Sequence, residues 1–419
     1  PIGRTVTLLY SFLFSNVGTI NFNGIVRLNI ALGQGNDLFT IENTFASAST
    51  SPVIVINGNG GADVFNVFAT QAVVTINGGD GDDLFFVFSN TSALNLNGGA
   101  DNDVFHIFGS VAGDQQSYNQ NALVNVDGGT GIDALNVYGT VLNDSITIDG
   151  TTFASVGLNI AFSDITHWQV DGMEGNDTFY VKTVLLDTTL LGDGNLPAYR
   201  TPIGATPPDL TAGIPVSAAT TYDDVFYIGW NGQAVPGSLG GIGAVLTIDG
   251  NAGVNAAYVD DSANTTDQTF TLTPTTMTST AMGANGQIIY SGLQTLNVRF
   301  GSGNDSLVIN DMSDATATIV DGGAGNNDAS LNFSGDFAGT SLALLNFQTA
   351  SLNVGGNFSG SLTDAGAFTT VHIGGSFTST GVFNAGSIDT LTMGGDFAGL
   401  LNVTDALTSL SVGGSFAST

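Results

Sequence analysis

A repeat of about twenty residues is the feature of this sequence that most limits how the chain can fold. Three segments align without gaps and carry an aspartate at the same position, twenty residues apart. These segments are 56–68 with Asp63, 76–88 with Asp83 and 96–108 with Asp103. Each copy has the pattern of a short strand, a Gly/Asp loop, an apolar strand and a polar turn. Because one copy cannot bury its own apolar face, the repeat predicts that copies stack.

Stacked copies with two strands each would form a coil whose turns pair in parallel. We therefore predict an all-β fold class, a parallel β-solenoid (β-roll or β-helix) of about 20 residues per turn that is interrupted by one large insertion. The composition agrees, since Val, Ile, Thr, Phe, Asn and Gly are frequent whereas Lys, Glu, Arg and Gln are scarce. The phenylalanines of the apolar strands, such as Phe65, Phe68, Phe85 and Phe88, are predicted to stack from turn to turn.

The chain is strongly acidic, with 36 acidic residues against five Lys and Arg and a net charge of -31. This charge makes nucleic acids and anionic membrane surfaces poor partners. All but two of the acids are aspartate, the residue of tight turns and metal-binding loops. Cysteine is absent, which excludes disulfides and thiolate metal sites. No apolar run is long enough for a membrane-spanning helix, so we predict a chain that does not span a membrane.

The Gly/Asp loop has the chemistry of a calcium site. The segment from Gly78 to Asp83 reads Gly-Gly-Asp-Gly-Asp-Asp, and glycine's tolerance of positive φ lets several backbone carbonyls point toward one place. Calcium takes about six to eight oxygen ligands. Aspartates stacked about 5 Å apart would repel each other, and a divalent ion between them would reverse the sign of that interaction. The alternative is that these residues form ordinary Asn/Asp/Gly turns without metal.

The pattern Gly-Gly-x-Gly-x-Asp resembles the repeat-in-toxin (RTX, haemolysin-type) calcium-binding repeat. The loop from Gly78 to Asp83 matches it fully and the loop from Gly128 to Asp133 also fits, whereas other copies lose a glycine or the aspartate. In that family, loop carbonyls and the motif aspartate bind calcium between turns, so the resemblance implies Ca²⁺ as the cofactor and secretion of the protein. The family's motif recurs about every nine residues. This degenerate version of about twenty residues implies metal on one edge at most.

The predicted metal ligands are loop residues of successive copies. They are Asn36, Asp37, Asp63, Asp80, Asp82, Asp83, Asp101, Asp103, Asp133, Asp177, Asp305 and Asp328. No catalytic residue is predicted, because the three histidines are scattered and no nucleophile elbow, zinc-protease helix or phosphate loop occurs. Aspartate pairs such as Asp82-Asp83 could serve a polysaccharide-cleaving enzyme. Such an enzyme needs a cationic groove, which five dispersed basic residues do not supply.

Four segments are predicted along the chain. They are a calcium-binding β-solenoid at 1–182, an irregular Pro/Gly/Thr-rich insertion at 183–243, a second RTX-like solenoid block at 244–333, and a Gly-Gly-x-Phe solenoid without most loop carboxylates at 334–419. In the last segment Phe358, Phe377, Phe397 and Phe416 are spaced by 19, 20 and 19 residues. This spacing predicts an internal phenylalanine stack in place of metal.

The function predicted from these features is structural. We expect an extracellular or cell-surface protein, stabilised by calcium, that forms homo-oligomers by end-to-end or lateral packing in a surface layer, matrix or fibre. The alternative is an adhesin or glycan-binding stalk in which the insertion at 183–243 contacts a cell-surface glycan. A polysaccharide lyase or epimerase is the least favoured, so we predict that the chain is not an enzyme.

Overall fold

The computed structural model describes residues 5–9, 26–44, 52–109, 122–155, 157–193, 221–232, 234–339 and 341–416. Within these ranges the regular structure is β-strand apart from one 3-10 turn at Leu239–Gly241. No helix in the described ranges is long and apolar enough to cross a membrane. The strands pair mostly in parallel, which confirms the predicted all-β solenoid fold.

The chain divides into two compact units, one of residues 1–178 and 186–222 and one of residues 179–185 and 223–419. The first unit holds β1 (Thr5–Leu9), β2 (Arg27–Ala31), β3 (Leu38–Ile41), β4 (Val53–Gly60), β5 (Val64–Val67), β6 (Val73–Asp80), β7 (Leu84–Val87), β8 (Leu94–Ala100), β9 (Val104–Phe108), β10 (Val124–Thr130), β11 (Ala134–Thr140), β12 (Ser145–Asp149), β13 (Thr152–Ser155), β14 (Leu158–Ser163), β15 (His167–Met173) and β17 (Thr188–Leu191).

The second unit holds the remaining strands, with the first residue of β16 counted in the other unit. These strands are β16 (Thr178–Thr183), β18 (Val225–Ile228), β19 (Val245–Asp249), β20 (Asn255–Asp260), β21 (Thr269–Leu272), β22 (Thr276–Ser279), β23 (Gln287–Ser291), β24 (Leu293–Arg299), β25 (Ser306–Asn310), β26 (Ala317–Asp321), β27 (Asp328–Phe333), β28 (Ser341–Leu345), β29 (Thr349–Val354), β30 (Ser361–Ile373), β31 (Val382–Met393) and β32 (Leu400–Val412).

In the first unit each turn of the coil contributes two strands, as the repeat predicts. β4, β6, β8 and β10 pair in parallel on one side, and β5, β7, β9 and β11 pair in parallel on the other. The register places Ile56 beside Ile76 and Ile76 beside Leu96, and all three side chains are buried. Alternate residues of these strands therefore form apolar columns that run through the interior.

Aromatic rings stack between the turns in two columns. Phe65, Phe85 and Phe105 form one column, with ring centroids 5.0 and 4.6 Å apart. Phe68, Phe88 and Phe108 form the other, with centroids 5.1 and 4.9 Å apart. These distances are those of favourable stacked pairs, and they confirm the predicted stacking of phenylalanines from turn to turn.

The strands before the loops are longer than the sequence suggests. β4, β6 and β8 continue through the glycines and end at Gly60, Asp80 and Ala100. The reason is the close approach of neighbouring turns: a Cβ added to Gly79, whose φ is 127°, would lie 2.3 Å from the carbonyl oxygen of Asn59. Glycine is therefore needed here for contact between backbones as well as for turning.

Each unit also contains an antiparallel meander that the sequence did not predict. β12, β13 and β14 pair antiparallel in the first unit, as do β21, β22 and β23 in the second. β14 then returns to pair in parallel with β10, and β23 with β19. Alternation of apolar and polar residues is the same in parallel and antiparallel strands, so the pattern alone could not distinguish them.

The C-terminal strands β30, β31 and β32 are the longest, with 13, 12 and 13 residues. Parallel bridges connect Phe337, Phe358, Phe377, Phe397 and Phe416 in a column beside them. The ring centroids along this column are 4.9, 4.9, 5.2 and 5.6 Å apart. The predicted phenylalanine stack is confirmed, and it begins one turn earlier than predicted, at Phe337.

The range 183–243, predicted to be an irregular insertion, contains regular structure at both ends. β17 and β18 lie inside it, as does the 3-10 turn. The turn begins after Ser238, whose hydroxyl accepts a hydrogen bond from the N–H of Gly240. Residues 194–220 and Gln233 lie outside the described residues. The described part of the insertion is thus more regular than its Pro- and Thr-rich sequence indicates.

Candidate functional site

The motif aspartates form a hydrogen-bonded column on one edge of the first unit. The backbone N–H of Asp63 donates to Oδ1 of Asp83 at 2.8 Å, and the N–H of Asp83 donates to Oδ1 of Asp103 at 2.8 Å. The same contact joins Asp37 to Asp63 at 2.7 Å and Asp103 to Asp133 at 2.8 Å. We call this set the inner column. One oxygen of each carboxylate from Asp63 onward therefore serves the backbone of the preceding turn.

The second carboxylate oxygen of these residues is buried and accepts no hydrogen bond. This holds for Oδ2 of Asp63, Asp83, Asp103, Asp133 and Asp305, whose side chains are at most 2% exposed. An unpaired anionic oxygen in such a place is costly, because burial removes water without supplying a donor. Each of these oxygens marks a position where positive charge or a proton would be favourable.

Loop glycines line the space next to Oδ2 of the motif aspartates, as the contacts of Asp83 and Asp103 show. A Cβ added to Gly78 would lie 2.0 Å from Oδ2 of Asp83 and 2.6 Å from the carbonyl oxygen of Gly98. A Cβ added to Gly98 would lie 2.1 Å from Oδ2 of Asp103 and 2.5 Å from the carbonyl oxygen of Gly128. The carboxylates of Asp63, Asp83, Asp103 and Asp133 thus each share a small glycine-lined space, the cradle, with a backbone carbonyl of the next turn.

Burial raises the pKa of the inner-column carboxyls. It raises the pKa of Asp63 to about 6 and that of Asp83 to about 7, although the hydrogen bond that each accepts from the backbone opposes the shift. Burial likewise raises the pKa of Asp103 to about 7, and the negative charge of Asp83 adds to the increase. The pKa of Asp305 in the second unit is raised for the same reason, burial. These carboxyls hold a proton more tightly than an exposed aspartate does.

A second column of side chains lies one residue before the first and is exposed. Here the side chain accepts from the next turn: the N–H of Asn102 donates to Oδ1 of Asp82 at 2.9 Å, and that of Ala62 donates to Oδ1 of Asn36 at 2.9 Å. We call this set the outer column. Its amides and carboxylates satisfy loop N–H groups at the surface, which is the ordinary role of Asn and Asp in turns.

The predicted ligands therefore fall into three groups. Those in the inner column or its equivalents are Asp37, Asp63, Asp83, Asp103, Asp133, Asp177 and Asp305. Asn36 and Asp82 lie in the outer column. Asp80, Asp101 and Asp328 are exposed and lie in neither column. Asp101 accepts from the N–H of Gly81 and Asp328 accepts from the hydroxyl of Ser306, so these two have other partners.

Four residues of the inner column or its equivalents were missed from the sequence: Asp144, Asp224, Asn255 and Asn327. The N–H of Asp144 donates to Oδ1 of Asp177, and that of Asp224 donates to Oδ1 of Asn255. Asn327 accepts from the N–H of Asp305 at 2.8 Å, and it takes the place for which Asp328 was predicted. Asn327 could have been identified from the sequence, because it lies five residues after Gly322, as Asp83 does after Gly78.

The inner column has the donor type that calcium prefers, namely carboxylate and carbonyl oxygens. Its number of acidic ligands is small, since no three His, Cys, Asp or Glu side chains converge on one point among the described residues. One carboxylate oxygen per turn leaves most of about six to eight positions to backbone carbonyls and water. The residues present therefore fit calcium in donor chemistry, and the backbone would supply most of the protein's ligands.

Comparison with protein-family models, with curated proteins and with solved structures found no match. The resemblance to RTX repeats therefore stays a prediction that rests on the motif residues themselves.

Proposed function

We propose that this chain is an extracellular or cell-surface structural protein, stabilised by calcium, that self-associates into a layer, matrix or fibre. The proposed calcium binding rests on one observation. Five buried Oδ2 atoms accept no hydrogen bond, and they belong to Asp63, Asp83, Asp103, Asp133 and Asp305. A structural role rather than catalysis accords with a site that repeats along the coil.

Electrostatics explains why a cation would stabilise the coil. Oδ2 of Asp63, Asp83, Asp103 and Asp133 each shares its cradle with a carbonyl oxygen of the next turn, so two electron-rich atoms face one space. At neutral pH an ionised carboxylate there is repelled by the carbonyl and by the carboxylates of adjacent turns. A calcium ion bound by both oxygens would replace that repulsion with attraction. External calcium concentrations suit weak, backbone-rich sites, which supports an extracellular location.

Thermal unfolding tests the calcium role directly. We expect the melting temperature at pH 7.5 to rise on addition of calcium and to fall on addition of a chelator, with magnesium much less effective because it requires a small octahedral shell. Equilibrium dialysis should find bound calcium in the folded protein. An identical melting temperature with calcium and with chelator would contradict the proposal.

The self-association part is supported by the exposed surface of β32. Leu407 and Leu410 are 38% and 40% exposed, whereas their register partners in β31, Ile388 and Leu391, are fully buried. A further parallel strand beside β32 would bury these leucines. We propose that a second copy of the chain supplies that strand. Calcium would assist by reducing the repulsion between chains of net charge -31.

Sedimentation in calcium tests this contact. The unmodified chain should form concentration-dependent oligomers, and the double substitution Leu407→Asp, Leu410→Asp should reduce them strongly. Leu185→Asp is the control, since Leu185 is 62% exposed and lies outside β32. An unmodified chain that remains monomeric at high concentration in calcium would contradict self-association.

A glycan-binding role is the second candidate, and an aromatic cluster in the second unit favours it. The rings of Tyr180, Tyr227 and Tyr258 stack at 5.4 and 5.1 Å, and Trp230 packs against the first two at 4.8 and 5.2 Å. These rings are partly exposed, and they combine apolar faces with polar groups. Trp230→Ala should weaken retention on a polysaccharide matrix, whereas Val235→Ala should not. Equal retention of both variants would remove this candidate.

A further inference from the structure

Two turns of the second unit carry asparagine where the others carry the motif aspartate. Oδ1 of Asn255 accepts from the N–H of Asp224 at 2.7 Å, as Oδ1 of Asp83 does from Asp63. The other side-chain atom, Nδ2, donates to the carbonyl oxygens of Gly250 at 2.6 Å, Gly292 at 3.1 Å and Ala252 at 3.3 Å. The two N–H bonds of this amide are therefore shared among three backbone acceptors.

The turn at Asn327 repeats this arrangement. Its Nδ2 donates to the carbonyl oxygens of Gly322 at 2.8 Å, Asn346 at 3.0 Å and Ala324 at 3.3 Å. Its own N–H donates to Oε1 of Gln348, a neutral amide in the next turn. The three acceptors come from the residue five before, the residue three before and the next turn, as they do for Asn255.

The cradle of an asparagine turn and that of an aspartate turn are the same place. A Cβ added to Gly322 would lie 2.8 Å from Nδ2 of Asn327, and one added to Gly78 would lie 2.0 Å from Oδ2 of Asp83. In both turns the next contact is a carbonyl oxygen of the following turn. The asparagine places a donor against these carbonyls, whereas the aspartate places an acceptor there.

We propose that Asn255 and Asn327 are built-in substitutes for a bound cation: their side-chain amides do in these two turns what calcium does in the carboxylate turns. The inference rests on the proposed calcium role and assigns which turns need the ion. The turns at Asp63, Asp83, Asp103, Asp133 and Asp305 require an external positive charge, whereas the turns at Asn255 and Asn327 do not. Whether a turn depends on calcium is therefore set by which of two nearly isosteric residues, aspartate or asparagine, stands at this position.

The test is to convert one kind of turn into the other. In chelator at pH 7.5, Asn327→Asp should lower the melting temperature by about 2–6 °C, because a carboxylate then faces three carbonyls. Calcium should recover most of that loss. Asn326→Asp is the matched control: it adds the same charge one residue earlier at an exposed position, and it should change the melting temperature little. Asp83→Asn should do the reverse and reduce the response of the first unit to chelator.

The outcomes separate the two proposals. An unmodified chain that ignores chelator overturns the calcium role. Asn327→Asp with an unchanged melting temperature in chelator overturns the substitution inference, as does a loss that calcium leaves unrepaired. If Asn327→Asp fails to fold, Asp83→Asn decides: a response to chelator equal to that of the unmodified chain overturns the inference, and a smaller response supports it.

Discussion

The N–H of Asp83 donates a 2.8 Å hydrogen bond to Oδ1 of Asp103, twenty residues further along the chain. This contact links consecutive loops and engages Oδ1 of the Asp103 carboxylate. The other side is left facing the glycine cradle, buried and without a donor. Each of these aspartates therefore has two roles. Its Oδ1 links consecutive turns, and its buried Oδ2 is an acceptor that a positive charge would stabilise.

The acceptor role of the column can be measured at Asp103. Asp103→Ala removes the oxygen that accepts from Asp83, whereas Asp103→Asn keeps it. We expect the alanine variant to be about 1–3 kcal/mol less stable than the asparagine variant in urea unfolding, the usual cost of an unsatisfied buried donor. Asp80→Ala is a surface control, expected within about 0.5 kcal/mol of the unmodified chain. Equal stability of the two Asp103 variants would contradict the ladder.

Stability without calcium should fall as pH rises from about 4 to about 7. The pKa values of Asp63, Asp83 and Asp103 are raised from 3.8 to about 6, 7 and 7, mainly by burial, so the folded chain binds protons more tightly than the unfolded chain in this window. The stabilising contribution is complete below about pH 4 and is lost as pH passes the folded-state values. Melting curves in calcium-free buffers check this. A flat or rising melting temperature across the window would contradict it.

A comparison of two glycines tests the packing of the loops. Gly78→Ala would bring a Cβ to 2.0 Å from Oδ2 of Asp83 and 2.6 Å from the carbonyl of Gly98, so backbone must move. We expect a loss of about 1–3 kcal/mol or more in unfolding free energy. A Cβ at Gly35 meets nothing within 4 Å, and Gly35→Ala should be tolerated. Similar stabilities of the two variants would argue against close approach of the turns.

The phenylalanine column makes a position-dependent prediction. Phe377 is fully buried between Phe358 and Phe397, whereas Phe416 is 66% exposed. Phe377→Ala should cost about 3–5 kcal/mol by leaving a cavity, and Phe416→Ala should cost much less. Guanidinium unfolding followed by circular dichroism distinguishes them. Comparable costs would mean that the column is not continuous in solution, or that Phe416 is covered in an assembly. Repeating the measurement on the separated monomer tells these two apart.

Part of the candidate site could be predicted and part could not. The repeat located Asp63, Asp83 and Asp103, because a fixed offset from the glycines identifies a fixed place in the turn. The repeat also drew attention to Asp80 and Asp101, which have the right chemistry and lie outside both columns. Whether a loop carboxylate points inward or outward depends on backbone conformation, and residue type alone does not report it.

The repeat period was enough to predict the solenoid, the two strands per turn of the first unit and the stacking of Phe85 and Phe377, because a period states which residues meet in successive turns. The packing of turn on turn sets which oxygen of Asp83 accepts a hydrogen bond and which has no donor, and it places Asn327 rather than Asp328 in the equivalent of the inner column. Those facts depend on backbones from different turns approaching within a few ångströms. Such contacts arise from how one turn lies on the next, so no single turn's sequence contains them.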